Sequence, residues 1–245
     1  MAGATIKGAL ISFLPTAIGG IPLPNVIAFQ INPETISHTW SEAAPPKPPA
    51  NQQTPELTDP LAASGLPGET FSFTLSLDAN EDIAAADANP VAAGIAQLGG
   101  VYARLSALEM LQYPNTPSSG GLLGAVSSAI SAAGLGGGGS TVKLVPQSEV
   151  PLVLFVWGPG RILPVRVTGL TITEKLFDTT LNPIHADAQV TLRVLTPDDL
   201  TAIQSSMKDV AKAAYNYTLG LRQAGALANT ASDAGRIIGM LPTPL

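Results

Sequence analysis

The chain has 245 residues, with 12 Lys and Arg against 18 Asp and Glu, a formal net charge of -6, and no cysteine. Clustered basic residues for phosphate binding are missing, so nucleic acid is not an expected partner, and disulfides, thiolate zinc sites and cysteine nucleophiles are excluded. Only 12% of residues are charged, and 24 Gly and 22 Pro leave much of the surface to small neutral side chains, which points to a surface partly covered by partner subunits.

No stretch reaches the roughly 20 apolar residues of a membrane span, so direct membrane insertion is not expected. The N-terminal MAGATIKGALISFLPTAIGG has one Lys, a Pro in its apolar run and no A-x-A site after it. It reads as a buried strand rather than a secretion signal. Strands are predicted over 5–14 and 25–31, with Gly19, Gly20, Pro22 and Pro24 turning between them. NPET at 32–35 breaks the second strand, and the following ISHTW puts Ile36, His38 and Trp40 on one face. Seven prolines over 42–68 make an extended loop. ETFSFTLSLDA at 69–79 alternates, with Phe71, Phe73, Leu75 and Leu77 inward, as in a half-buried antiparallel strand.

One central helix is predicted over 91–112, with Val91, Ile95, Leu98, Leu105, Leu108 and Leu111 as its buried stripe. Gly99 and Gly100 interrupt it and Pro114 ends it. Residues 116–141 carry no charge and read as a flexible Gly-rich insert. EVPLVLFVW at 149–157, turned by GPG, returns antiparallel as RILPVRV, and the alternation changes phase at Gly169, as at a bulge. EKLFDTTLNP reads as a connecting loop. Residues 186–194 read as a strand with Ala188, Val190, Leu192 and Val194 inward. TPDDL opens a helix: Thr196 caps, Pro197 suits the first position, and Asp198 and Asp199 meet the dipole. Leu200, Ile203, Met207, Val210, Ala214 and Leu221 form its buried stripe, and a second, weak helix follows Gly220.

Motifs for chemistry are missing. GLGGGGST at 134–141 has Ser140 where a phosphate loop needs Lys, and there is neither a G-x-S-x-G elbow nor an H-E-x-x-H. Two histidines cannot make a three-His zinc site. Glu81 and Asp82, a candidate acid–base pair, follow a strand end and precede a helix, where solvated or dipole-facing carboxylates are expected. His38 beside Trp40 reads as structural. His185, at a strand entrance after Asn-Pro, reads as a hydrogen-bonding or partner-touching residue. No catalytic, metal-binding or cofactor-binding residue is assigned.

The residues together predict an α+β fold: mainly antiparallel β, with a central helix and a C-terminal helix. In order, KGALISF, VIAFQINPETISHTW, GETFSFTLSLDANED, GIAQLGGVYARLSALEMLQYP and the run from VPLVLFVWGPG to LRVLTPDDL resemble the tube-type adaptor family of contractile injection systems. The resemblance spans most of residues 5–200. Its most specific pieces are FQ-x-NPET, LFVWG…RILPVRVT and FD-x-x-LNPI…LRVLTPDDL. It implies a tube-protein-like sandwich or barrel over 1–200, with 42–68 and 116–141 as departures from the family pattern and 197–245 as a C-terminal helical extension. It also implies a structural role without catalysis, joining the inner tube of a phage-tail-like particle to its baseplate or spike. The implied assembly is a homo-hexameric ring or symmetric copies, built in the cytoplasm into a particle that is released or anchored. No LysM module, which some relatives carry, is recognisable after the adaptor region. The alternatives are a tube terminator or cap adaptor meeting cap and sheath, a tube-ring subunit, or a non-catalytic carbohydrate-binding β domain of the cell surface. The candidate partner-binding residues are Phe177, Asp178, Asn182, Pro183 and His185, together with Asn32, Pro33 and Glu34.

Overall fold

The computed structural model describes residues 6–14, 23–43, 61–63, 65–114, 150–203 and 207–240. The alternating segments become seven strands of one antiparallel sheet: β1 (Ala9–Leu14), β2 (Leu23–Ala28), β3 (Ile36–Ser41), β4 (Gly68–Asp78), β5 (Val153–Val156), β6 (Ile162–Phe177) and β7 (Pro183–Val194). Their order is β2-β1-β5-β6-β7-β4-β3. Five helices accompany them among the described residues: α1 (Ala79–Ala84), α2 (Pro90–Gly99), α3 (Tyr102–Glu109), α4 (Pro197–Thr201) and α5 (Lys208–Met240). The α+β class expected from the sequence is the class observed. The Pro-rich segment lies largely, and the Gly-rich insert wholly, outside the described residues.

The sheet is rolled. β5 and β4 are separated by β6 and β7, which on a flat sheet would hold them about 14 Å apart. Yet the Phe155 ring centroid lies 5.3 Å from that of Phe71 and 5.5 Å from that of Phe73. Period-2 alternation explains the filling: Phe71, Phe73, Leu75 and Leu77 of β4 and Ala186, Ala188, Val190, Leu192 and Val194 of β7 all point inside and are buried. Phe29, just past β2, joins them, with its ring 5.5 Å from Phe73. One end of the roll is closed by Val101, Leu105, Leu108 and Leu111 in and around α3. A second apolar cluster lies on the outer face, where Leu152, Leu154 and Leu195 are covered by Leu200, Ala211 and Ala214 of the C-terminal helices.

Several local signals act as the sequence predicts. The register of β6 on β7 shifts between Val167 and Gly169, a bulge that keeps Leu170 and Ile172 on the inner side. Gly158 turns β5 into β6 with φ 66°. Thr196 and Asp199 form a reciprocal capping box, each side chain accepting from the other's backbone N–H, with Pro197 in the first turn.

Four expectations need correction. The predicted helix over 91–112 is two helices bent by 95° about Gly100 and Val101. The bend prevents one continuous stripe from facing one core. Leu105, Leu108 and Leu111 are buried, while α2 buries its small Ala93 and Ala96 and leaves Val91, Ile95 and Leu98 exposed. EKLF is not loop: Glu174–Phe177 extend β6, because the ladder runs on through Lys175 opposite His185 to Phe177 opposite Pro183. The helix that TPDDL opens stops at Thr201 instead of running on to Leu221, and no second helix starts after Gly220: one helix of 33 residues, from Lys208, runs through that glycine, and Val210 and Leu221 of the predicted stripe are exposed. Finally, Glu81 and Asp82 lie within α1, a six-residue helix capped by the Asp78 side chain, where loop was expected.

α5 is tied to the roll by its first half. The Thr218 hydroxyl accepts from Ile162 N (3.0 Å) and donates to Ile162 O (2.7 Å). Arg222 pairs with Glu69, a carboxylate only 3% exposed, which also meets His38 Nε2 at 2.7 Å. Arg222 lies over the Trp40 ring, 4.9 Å from its centroid. Residues 223–232 of the helix are exposed.

Candidate docking site

β6 and β7 form the longest ladder of the sheet and end in a five-residue tip, Asp178–Asn182. An antiparallel pair this long needs a connection that reverses the chain tightly, and Asp178 supplies it. Its Oδ1 accepts from Thr180 N (2.7 Å), Thr180 Oγ1 (2.8 Å) and Asn182 N (2.9 Å). Asn182 Nδ2 donates to Asp178 Oδ2 (3.1 Å), and Asp178 N donates to Asn182 O (2.9 Å). The Thr180 hydroxyl, followed by the Asn182 amide, holds the Asp178 carboxyl down to about 2, below the usual carboxylate range. The tip is therefore a folded turn with an ionised centre.

The apolar side chains around this centre point outward. Leu176 is 70% exposed, Phe177 51% and Leu181 79%. Leu176 and Leu181 also hold left-handed backbone, with φ 53° and 67°. Only glycine visits this region routinely, and each such residue costs about 1–3 kcal/mol. Two leucines are thus held in costly conformations at a place where their side chains bury little of the protein's own surface.

The tip is braced by the α2–α3 elbow. Asn182 Nδ2 donates to Leu98 O (3.3 Å), and Val101 N donates to Pro183 O (2.9 Å). Gly100 has φ +59°, and a Cβ there would lie 2.1 Å from Pro183 O, so only glycine permits this approach. The elbow brings Leu98, 84% exposed, beside the tip, with Val91 and Ile95 exposed further along the same helix. The elbow is anchored in turn by Asp82, which accepts from Arg104 Nε (2.7 Å) and Nη2 (2.6 Å). The Arg104 guanidinium lowers the Asp82 carboxyl below its ordinary value despite partial burial.

The structure divides the predicted partner residues into two groups. Phe177 presents an open surface. Asp178 and Asn182 shape the tip, and Pro183 is buried with its carbonyl engaged by the elbow. His185 lies in β7, not in a loop, facing Lys175 and Asp78 across the ladders, with Asp187 Oδ1 at 3.6 Å. Asn32, Pro33 and Glu34 lie elsewhere. Asn32 staples the first described segment, accepting from Gly8 N (2.9 Å) and donating to Ile6 O (2.9 Å). Glu34 is exposed. Leu176, Leu181 and the outer face of α2 were missed. An i, i+4, i+7 apolar pattern gives a helix face but not its direction. Here Ala93 and Ala96, small enough for close packing, were the available hint.

Among the described residues no group of three or more His, Asp and Glu is placed to hold a metal ion. None of the described helices is by itself long and apolar enough to cross a membrane. No protein-family model matches the chain, and comparison with curated proteins gives no match.

Proposed function

We infer that the chain is a structural adaptor of a bacterial contractile injection system, joining the inner tube to the baseplate or spike and carrying out no reaction. It acts in symmetric copies, in a particle assembled in the cytoplasm. The sequence resemblance motivates this reading. The observation that supports it most is the β6–β7 tip: three exposed apolar side chains on a turn rigidified by Asp178, two of them on strained backbone. Strain of this kind persists where surrounding structure enforces it, and it clusters at functional sites. A rigid apolar anchor also loses little entropy on docking, so a few such residues suffice for a specific contact. Among the described residues the edge strands β2 and β3 each pair on one side only, which suits contacts between neighbouring copies in a closed ring of heterologous interfaces.

The test is imaging of purified particles that carry a labelled copy of the chain. Label at the junction of tube and baseplate is expected. Label at the opposite end would assign the cap instead, and absence of the chain from the particles would overturn the reading.

A further inference from the structure

The outer face of the sheet carries a second feature that the tip does not explain. In the β6–β7 ladder Arg166 stands directly opposite Arg193. Opposite residues of an antiparallel pair bring their Cβ atoms to about 4.5–5.5 Å, and like charges there are destabilising. The arrangement does not follow from an excess of basic residues, since the chain has 12 Lys and Arg and a net charge of -6. Arg193 has one acidic neighbour, with Nη2 3.5 Å from Asp199 Oδ1. The other oxygen of that carboxylate is committed to the helix cap, accepting from Thr196 N (3.0 Å) and Oγ1 (3.1 Å). Among the described residues the Arg166 side chain has no hydrogen bond or ion pair.

Both arginines line a cavity of about 340 Å³, together with Asp199 and an apolar wall that includes Leu152, Leu195 and Ile203. This volume, a largely apolar lining and a few convergent polar groups are the properties of small-ligand sites. Guanidinium forks pair best with planar oxyanions, and two of them less one Asp199 carboxylate leave a single positive charge. A monoanion balances that charge, whereas a phosphate dianion would exceed it.

We propose that this cavity binds a carboxylate carried on an apolar stem, with the carboxylate between Arg166 and Arg193 and the stem along Leu152, Leu195 and Ile203. The ligand is either a free aliphatic acid or an acidic residue flanked by leucines in a partner polypeptide. The proposal is independent of the adaptor reading.

The test uses the full chain. Thermal midpoints and backbone amide shifts are followed with sodium octanoate below its micelle concentration, with the isosteric neutral octanamide, and with the peptide acetyl-Ala-Leu-Glu-Leu-Ala-amide. Octanoate should raise the midpoint saturably and move the amides of Leu152, Arg166, Arg193, Leu195 and Ile203. Octanamide should bind at least about tenfold more weakly, since it lacks the charge-assisted hydrogen bonds. The Arg166→Gln/Arg193→Gln variant should lose the response while remaining folded. Without ligand, Arg166→Gln should raise the midpoint by about 1–3 °C through relief of the cross-strand repulsion. A response to octanoate and peptide alike assigns a polypeptide source, and a response to octanoate alone assigns a free acid. The proposal is overturned if neither binds, if octanamide matches octanoate, if the double variant keeps the response, or if Arg166→Gln lowers the unliganded midpoint.

Discussion

Arg222→Ala cuts the tie between the C-terminal helix and Glu69 of β4. The substitution leaves Glu69, 3% exposed, with His38 in contact and the Arg161 charge as the nearby cation. Breaking a fully buried ion pair costs about 3–5 kcal/mol, because a charge stays behind without compensation. Arg222 is itself 30% exposed, so water reaches part of the vacated space and the cost falls to about 2–3 kcal/mol. Loss of the guanidinium over Trp40 adds about 0.5–1 kcal/mol, for a total near 3 kcal/mol. If the buried charge is the cause, Glu69→Gln must rescue. The double variant Arg222→Ala/Glu69→Gln should be at least about 1 kcal/mol more stable than the sum of the two single losses predicts. Urea titration followed by circular dichroism measures all four corners of this cycle. A loss below about 0.5 kcal/mol in Arg222→Ala, or strict additivity in the double variant, would show that Arg222 does not compensate a buried Glu69 charge.

Three further outcomes follow from named contacts. Leu192→Ala empties a fully buried position of β7 and should cost about 2–5 kcal/mol by denaturant titration. Gly100→Ala combines positive φ with a clash against Pro183 O and should cost about 3 kcal/mol or more, with the loss of protection at the Val101 amide in hydrogen exchange. The Asp178 carboxyl is depressed in the fold, so the order it gives the tip is present above the ordinary value of 3.8 and is lost as pH falls through about 2. The amide shifts of Thr180 and Asn182 should therefore titrate near the lower value, and a midpoint at the ordinary one would show that the turn does not hold.

How far the sequence reveals this molecule depends on the range of the interaction. β4 and β7 are legible because alternation over eleven and twelve residues writes one face directly into the chain. The Thr196 cap and the Gly169 bulge are legible because their partners are a few residues away or change the phase locally. The direction of α2 is not, since whether Val91, Ile95 and Leu98 or Ala93 and Ala96 face inward depends on the bend at Gly100, and that bend fits the carbonyl of Pro183. The Glu69–Arg222 pair is equally hidden, because its members are 153 residues apart. At the tip, Phe177 and Asp178 could be picked out in sequence as an apolar residue beside a turn former. The exposure of Leu176 and Leu181 could not, because leucine ordinarily marks burial and nothing in the local sequence signals positive φ at either residue.

Phe177→Ser/Leu181→Ser separates docking from folding at the β6–β7 tip, the proposed contact with an injection particle. Both side chains are largely outside the core, so the circular dichroism spectrum and urea midpoint should match the unmodified chain. The measurement is occupancy in purified injection particles, quantified against the tube subunit. A folded double variant absent from the particles, or reduced at least about tenfold, is the predicted result. A folded double variant at unmodified occupancy would show that the tip is not the docking element.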